Sequence, residues 1–177
     1  MDQNFQYSDK LYNQILVNKT KVGYSHTIHI KSVLVWTYAE RLTNIALWIF
    51  CAFATSSIIG YMVANEDVCV VISIVSSLLS TIVSTIVNTM DFKTPKTNHK
   101  SAADALWRIR EEYESLIVDY STLDVNQRIL RRNMLLQETD KIYRNSPATG
   151  PIAKFIAMRA LKSGEQTIDS DDFQRMG

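Results

Sequence analysis

Two apolar runs interrupt an otherwise polar chain. Ile45–Ala64 and Val68–Met90 contain no Lys, Arg, Asp, Glu or His, and only Asn65, Glu66 and Asp67 separate them. At about 1.5 Å rise per residue, about 20 helical residues reach across a hydrocarbon core of roughly 30 Å. So short a connection leaves room only for a tight turn. The pattern therefore predicts an antiparallel transmembrane hairpin with spans over 45–64 and 68–90.

The flanks carry a different periodicity. Ser8 is placed to cap a short amphipathic helix in which Leu11, Tyr12, Ile15 and Leu16 recur at helical spacing to about Asn18. Lys19–Ser25, with Gly23, reads as a break. From His26 a second helix is predicted to run through Val33, Trp36, Thr37 and Glu40 into the first span. Beyond Met90, Pro95 marks the exit from the membrane, and a helix is expected to start near Asn98 or Ser101. Ala102, Leu106, Ile109, Tyr113, Leu116, Ile117 and Tyr120 form its apolar stripe.

A turn at Ser121–Leu123, with Thr122 or Asp124 as cap, leads into a helix that reaches Arg144 and faces Val125, Ile129, Leu136 and Ile142 inward. Asn145–Pro151 cannot continue it. Ile152–Lys162 gives a last short helix with Ile152, Phe155, Ile156 and Leu161 on one sticky face, and Ser163–Gly177 reads as a flexible acidic tail. No β pattern of useful length appears outside the spans. The expected class is all-α: N-terminal helices over 1–44, the hairpin over 45–90, a helical region over 91–162 and the tail over 163–177.

Composition changes this picture little. The 177 residues hold 19 basic and 18 acidic side chains, so net charge selects no partner. The mean hydropathy of −0.06 looks soluble only because apolar spans are averaged with polar flanks. Met1–Asn44 has no apolar stretch of signal-peptide type, so the first span is expected to serve as its own insertion signal. Orientation follows from the bases near the span ends. Lys31 and Arg41 lie upstream, and Lys93, Lys96, Lys100, Arg108 and Arg110 downstream, whereas the turn carries only acids. Both termini should face the cytoplasm. Trp36, Tyr38 and Trp48 fall near the inner boundary and Tyr61 near the outer one, where amphipathic rings settle.

Catalytic chemistry finds no support. There is no nucleophile–base pattern, no Gly-rich phosphate loop and no metal-ligand cluster, so neither an enzyme, a metal nor a cofactor is expected. Cys51 and Cys69, the only cysteines, read as small hydrophobes. His26, His29 and His99 read as solvated or interfacial side chains.

The second span is more informative. Ser73, Ser77, Ser80, Ser84 and Asn88 follow one another at intervals of four and three, and at about 100° per residue they share one stripe. Ser76, Thr81 and Thr85 widen it. Such a stripe either packs against another helix or, repeated around the axis of an oligomer, lines a polar pore. Ala52, Ser56, Gly60 and Ala64 in the first span make a small-residue ridge that can supply the hairpin contact instead. Glu66 and Asp67 outside, with Asp91 inside, are the acids available to pore mouths. Separately, Arg128, Arg131 and Arg132, continued by Lys141 and Arg144, make a basic run on one helix, where guanidinium forks suit phosphates, and a solvated face or anionic headgroups explain it as well.

This arrangement resembles the SLATT family, small bacterial proteins with two membrane helices and a cytoplasmic helical region. The resemblance rests on the polar N-terminal helix and the hairpin with its minimal acidic turn. It continues through Asp91-Phe92, His99, Ala102-Ala103, Trp107 and the Ile109–Tyr113 segment, and covers about residues 8–160. It implies a membrane effector of prokaryotic conflict systems, often encoded beside a nucleotide-synthesising enzyme and thought to perforate or depolarise the membrane once signalled. The departure is the lack of a recognisable sensor domain.

The expectation is therefore a homo-oligomer, with a tetramer favoured, in the lipid bilayer of the bacterial inner membrane. It would be opened by a nucleotide or oligonucleotide, the product of a neighbouring nucleotide-synthesising enzyme. Ser73, Ser77, Ser80, Thr81, Ser84 and Asn88 would line the path, and Arg128, Arg131 and Arg132 would read the signal. The alternative is a non-conducting anchor that recruits a cytoplasmic partner.

Overall fold

The computed structural model describes residues 2–64 and 67–164, with the side chains of 2–6 and 64 left aside. Glu66 and the acidic stretch from 165 onward lie outside the described residues. Every regular element among the described residues is helical: α1 (Asp2–Ala64), α2 (Asp67–Thr89), α3 (Lys93–Val118), a 3-10 turn (Asp119–Ser121), α4 (Val125–Asn145) and α5 (Pro151–Lys162). They form two compact units, one from 1–34 with 96–177, the other from 35–95.

In the first unit, α1 and α3 share a seam. Leu11, Ile15 and Val22 on α1 meet Leu106, Ile109, Tyr113 and Leu116 on α3, and Leu135 of α4 closes the cluster. The expected break at Lys19–Ser25 is absent. Val22 is buried there, Thr20 and Thr27 return their hydroxyls to the carbonyls of Leu16 and Gly23, and Lys19 pairs with Glu114. Tertiary packing along an unbroken stripe outweighs the roughly 1 kcal/mol that one helical glycine costs. Polar contacts add specificity: Tyr120 donates to the Ser8 carbonyl at 2.6 Å, and its ring meets Tyr12 edge-on at 4.9 Å.

The α3 stripe is buried as expected, but the helix starts earlier, at Lys93. Asp91 Oδ1 accepts from the backbone N–H groups of Lys93 and Thr94 at 2.9 Å each, which caps the helix. Pro95 falls in the first turn, where its missing N–H costs nothing. Asp124 caps α4 through a reciprocal capping box with Gln127.

The inward face of α4 differs in part from expectation. On α4 the expected Ile129 and Ile142 pack, partly buried, against the core cluster, but the fully buried residues are Leu135 and Thr139, and Val125 is exposed. On α5 the alanines Ala153, Ala157 and Ala160 go inward with Leu161, leaving Ile152 and Phe155 exposed. Small side chains allow α5 to approach closely, which a large apolar face does not.

The second unit is the hairpin. Its α1 segment presents Ala54, Ser57 and Gly60 as the less exposed face, and α2 answers with Cys69, Ser73, Ser76 and Ser80. A Cβ built on Gly60 would stand 3.5 Å from Cys69 Sγ, and Ser73 donates to the Ala54 carbonyl at 3.2 Å. The predicted ridge is therefore shifted: Gly60 makes the contact, while Ala52 and Ser56 are exposed. Trp36 meets Phe92 edge-on at 6.4 Å within the same unit.

Candidate functional site

The α2 stripe divides lengthwise. Ser76 is buried and Ser73 and Ser80 are half-buried on the α1 side, whereas Ser77, Thr81 and Asn88 are exposed, with half-buried Ser84 between. At about 100° per residue, Ser77, Thr81, Ser84 and Asn88 stay within a band about 60° wide. Several of the polar groups here are satisfied locally. Thr81 donates to the Ser77 carbonyl at 2.9 Å, Ser80 to the same carbonyl at 2.8 Å, and Asn88 Nδ2 to Ser84 Oγ at 3.3 Å. Back-bonding lets hydroxyls sit in an apolar span without a second helix, so the exposed band presents oxygens that need no fixed partner.

The acids expected at the mouths have separate duties. Asp67 occupies the first turn of α2, the favourable end of the helix dipole for an acid. Asp91 is fully exposed, and hydrogen bonds from Thr94 and Lys93 hold its carboxyl below the usual range.

The arginines expected to bind a signal are engaged within the chain. Arg128 lies over the Tyr120 ring at 4.2 Å and reaches Ser8 Oγ at 3.3 Å. Arg132 donates to Gln14 Oε1 at 2.5 Å, and Arg131 pairs with Asp119 at 3.2 Å. Arg128 and Arg132 thus pin α4 to the first turns of α1.

Two features escaped the periodicity. The histidines are buried rather than solvated. His29 Nδ1 lies 2.9 Å from His99 Nδ1, and His26 stacks at a tilt on Trp107 at 5.3 Å, so all three histidines gather along the α1–α3 seam. Burial, then the neighbouring His99 and His26, pushes His29 down to about 4, and burial lowers His26 and His99 as well. The spacing of His26 and His29, three residues apart on a face continuing Leu11, Ile15 and Val22, was the available signal. The second feature is a cleft of about 450 Å³ between α3 and α4, lined by Arg108, Lys141, Glu138, Asn98 and Asn145 among others. Its residues sit on the polar sides of two helices and form no motif in sequence.

Two apolar helices long enough to cross a bilayer, one carrying a polar band, define a two-span membrane protein with a helical body. Residues 11–172 match the SMODS and SLOG-associating 2TM effector domain family 4, and the chain belongs to that SLATT family. It is an effector domain linked to anti-phage systems and not a known catalytic family. No curated protein and no solved structure matches the chain.

Proposed function

We propose that the protein is the membrane-acting subunit of a homo-oligomeric pore in the bacterial inner membrane, with both termini cytoplasmic. A nucleotide signal, made by a neighbouring nucleotide-synthesising enzyme, opens the pore and depolarises the membrane of an infected cell. The observation that carries this reading is the band of exposed Ser77, Thr81 and Asn88 with half-buried Ser84 along a span free of charged residues. Ser73 and Ser80, on the α1 side, take part in hairpin packing and border the path. Copies arranged around an axis, as a tetramer for instance, bring the bands together into an uncharged polar lining. Asp67 and Asp91 would stand near the two mouths, with Glu66 beside Asp67, and favour cations weakly. Gating requires that the signal bind the open state more tightly than the closed one.

The test is ion flux from liposomes and membrane potential in cells. Ser77→Leu combined with Thr81→Leu is expected to abolish flux while leaving assembly, measured by crosslinking, intact. Flux that persists unchanged in the double variant would move the path away from this face. A protein that assembles but conducts under no condition would be an anchor for a partner, a role for which the exposed Ile152 and Phe155 of α5 offer a surface.

A further inference from the structure

Several basic side chains of the helical body are engaged within it. Lys19, Arg128, Arg131, Arg132 and Arg144 each hold an acid, amide, hydroxyl or ring of the same chain. Arg108 and Lys141 hold none among the described residues, and both line the α3–α4 cleft. They come from opposite walls, Arg108 from α3 and Lys141 from α4, so an anion between them is held from two sides. Guanidinium and ammonium left unpaired at one cavity are the side chains that recognise phosphate.

The rest of the cleft narrows the ligand class. α3 and α4 are joined by a short turn and run antiparallel. Arg108 and Glu138 therefore stand at one end of the cleft, and Asn98 and Asn145 at the other. Asn98 and Arg108 are separated by about 15 Å at helical rise. Between them Ala102 and Ala105 keep the floor low, and Ile142 gives it an apolar wall. Two amides at the far end offer paired donors and acceptors of the kind a base edge needs. Glu138 beside Arg108 works against a bare anion but accepts from hydroxyls adjoining a phosphate. A volume of about 450 Å³ lies within the range of about 300–1,000 Å³ typical of small-ligand sites.

We propose that the α3–α4 cleft is a binding site for a nucleoside phosphate, with Arg108 and Lys141 as its phosphate anchors and Asn98 and Asn145 as its base-reading end. This replaces Arg128, Arg131 and Arg132 as the ligand contacts, because those arginines hold α4 in place. The site gives the signal-opened reading above its receptor and rests on that reading for its biological role, though binding is measurable without conduction.

The experiment uses the full chain in phosphatidylcholine nanodiscs. It is titrated calorimetrically with adenosine, guanosine, cytidine and uridine 5′-monophosphates, and with inorganic phosphate. At least one nucleotide is expected to bind saturably and at least tenfold tighter than phosphate. Arg108→Gln and Lys141→Gln should each weaken it tenfold or more, Ala105→Leu should block it by filling the floor, and exposed Arg131→Gln should leave it unchanged. Circular dichroism confirms that the variants keep their helices. Binding by none of the four nucleotides, equal binding in Arg108→Gln and Lys141→Gln, or phosphate binding as tightly as the nucleotides would each overturn the proposal. Repeating the titration with phosphatidylglycerol in the disc identifies a headgroup site: lipid retention that depends on Arg108 and Lys141, without nucleotide binding, also overturns it. Nucleotide binding to a chain that never conducts would sink the pore and keep the site; a Ser77/Thr81-dependent flux without nucleotide binding would do the reverse.

Discussion

Acidification should loosen the α1–α3 seam, and the histidine pair sets how much. With both rings neutral, one Nδ1–H of the His29–His99 pair donates to the lone pair of the other across 2.9 Å. A second proton turns that contact into two opposed donors and places charge beside His26 in a buried seam. Burial first, and then the neighbouring His99 and His26, hold His29 down to about 4, against 6.5 in an open chain. A base whose folded pKa is depressed binds fewer protons in the fold than in the open chain between those two values. Stability is then complete above about pH 6.5 and is lost as pH falls toward 4. For His29 alone the loss between pH 7.5 and 5.0 is about 2 kcal/mol, from the two pKa values and about 1.4 kcal/mol per tenfold. His26 and His99, also lowered, add in the same direction.

The assay is amide hydrogen exchange around His99 on α3, corrected for intrinsic rates, because protection there reports opening of the seam itself. A loss of about 2 kcal/mol appears as a fall of about 30-fold in protection between pH 7.5 and 5.0. In His29→Gln the fall should shrink by about that 30-fold, leaving only the share of His26 and His99, since the titrating group is gone while an amide can still meet His99. Protection that is flat with pH in the native protein, or equally steep in His29→Gln, would refute the assignment of the dependence to this pair.

Other outcomes follow from packing. Leu106 and Ile109 are fully buried at the seam, so Ile109→Ala should cost about 2–5 kcal/mol, read by chemical unfolding of the body in detergent. Asp124→Ala removes a capping box and should cost about 1 kcal/mol, visible as faster exchange confined to the first turn of α4. At Gly60 a methyl meets Cys69 Sγ at ordinary contact distance, so Gly60→Ala should be tolerated. Gly60→Leu should splay the hairpin and lower its melting temperature.

The hairpin and the α3 stripe were legible because each rests on a single strong pattern. Uncharged runs need no partner to be recognised, and Leu106, Ile109, Tyr113 and Leu116 repeat cleanly. The continuity of α1 was hidden because Gly23 and two flanking lysines look like a break unless the partner helix is known. Lys19 finds Glu114 only across the fold. Which face of α5 goes inward was hidden for a related reason. Hydrophobicity ranks Phe155 above Ala157, but a close helix approach rewards the smaller side chain.

The basic residues carry the same lesson into function. Arg128, Arg131 and Arg132 cluster in sequence, and clustering alone suggests a ligand. In the fold Arg128 lies over Tyr120 and Arg132 reaches Gln14, so the cluster holds α4 against α1. Arg108 and Lys141 lie 33 positions apart in sequence and form no cluster with each other there, yet they line one cleft with no partner among the described residues. The two sets should therefore respond differently to substitution. Arg132→Ala leaves the Gln14 amide without its donor and should lower the stability of the body by about 1.5–3 kcal/mol, since a hydrogen bond from a charged group is worth about that. Arg108→Ala breaks no contact within the chain and should leave stability within about 0.5 kcal/mol of native, as exposed positions do. Urea unfolding of both variants, followed by far-ultraviolet circular dichroism, decides it. Equal destabilisation by the two substitutions would mean that Arg108 also holds the helices together, and would remove the reason for treating it as free to meet a ligand.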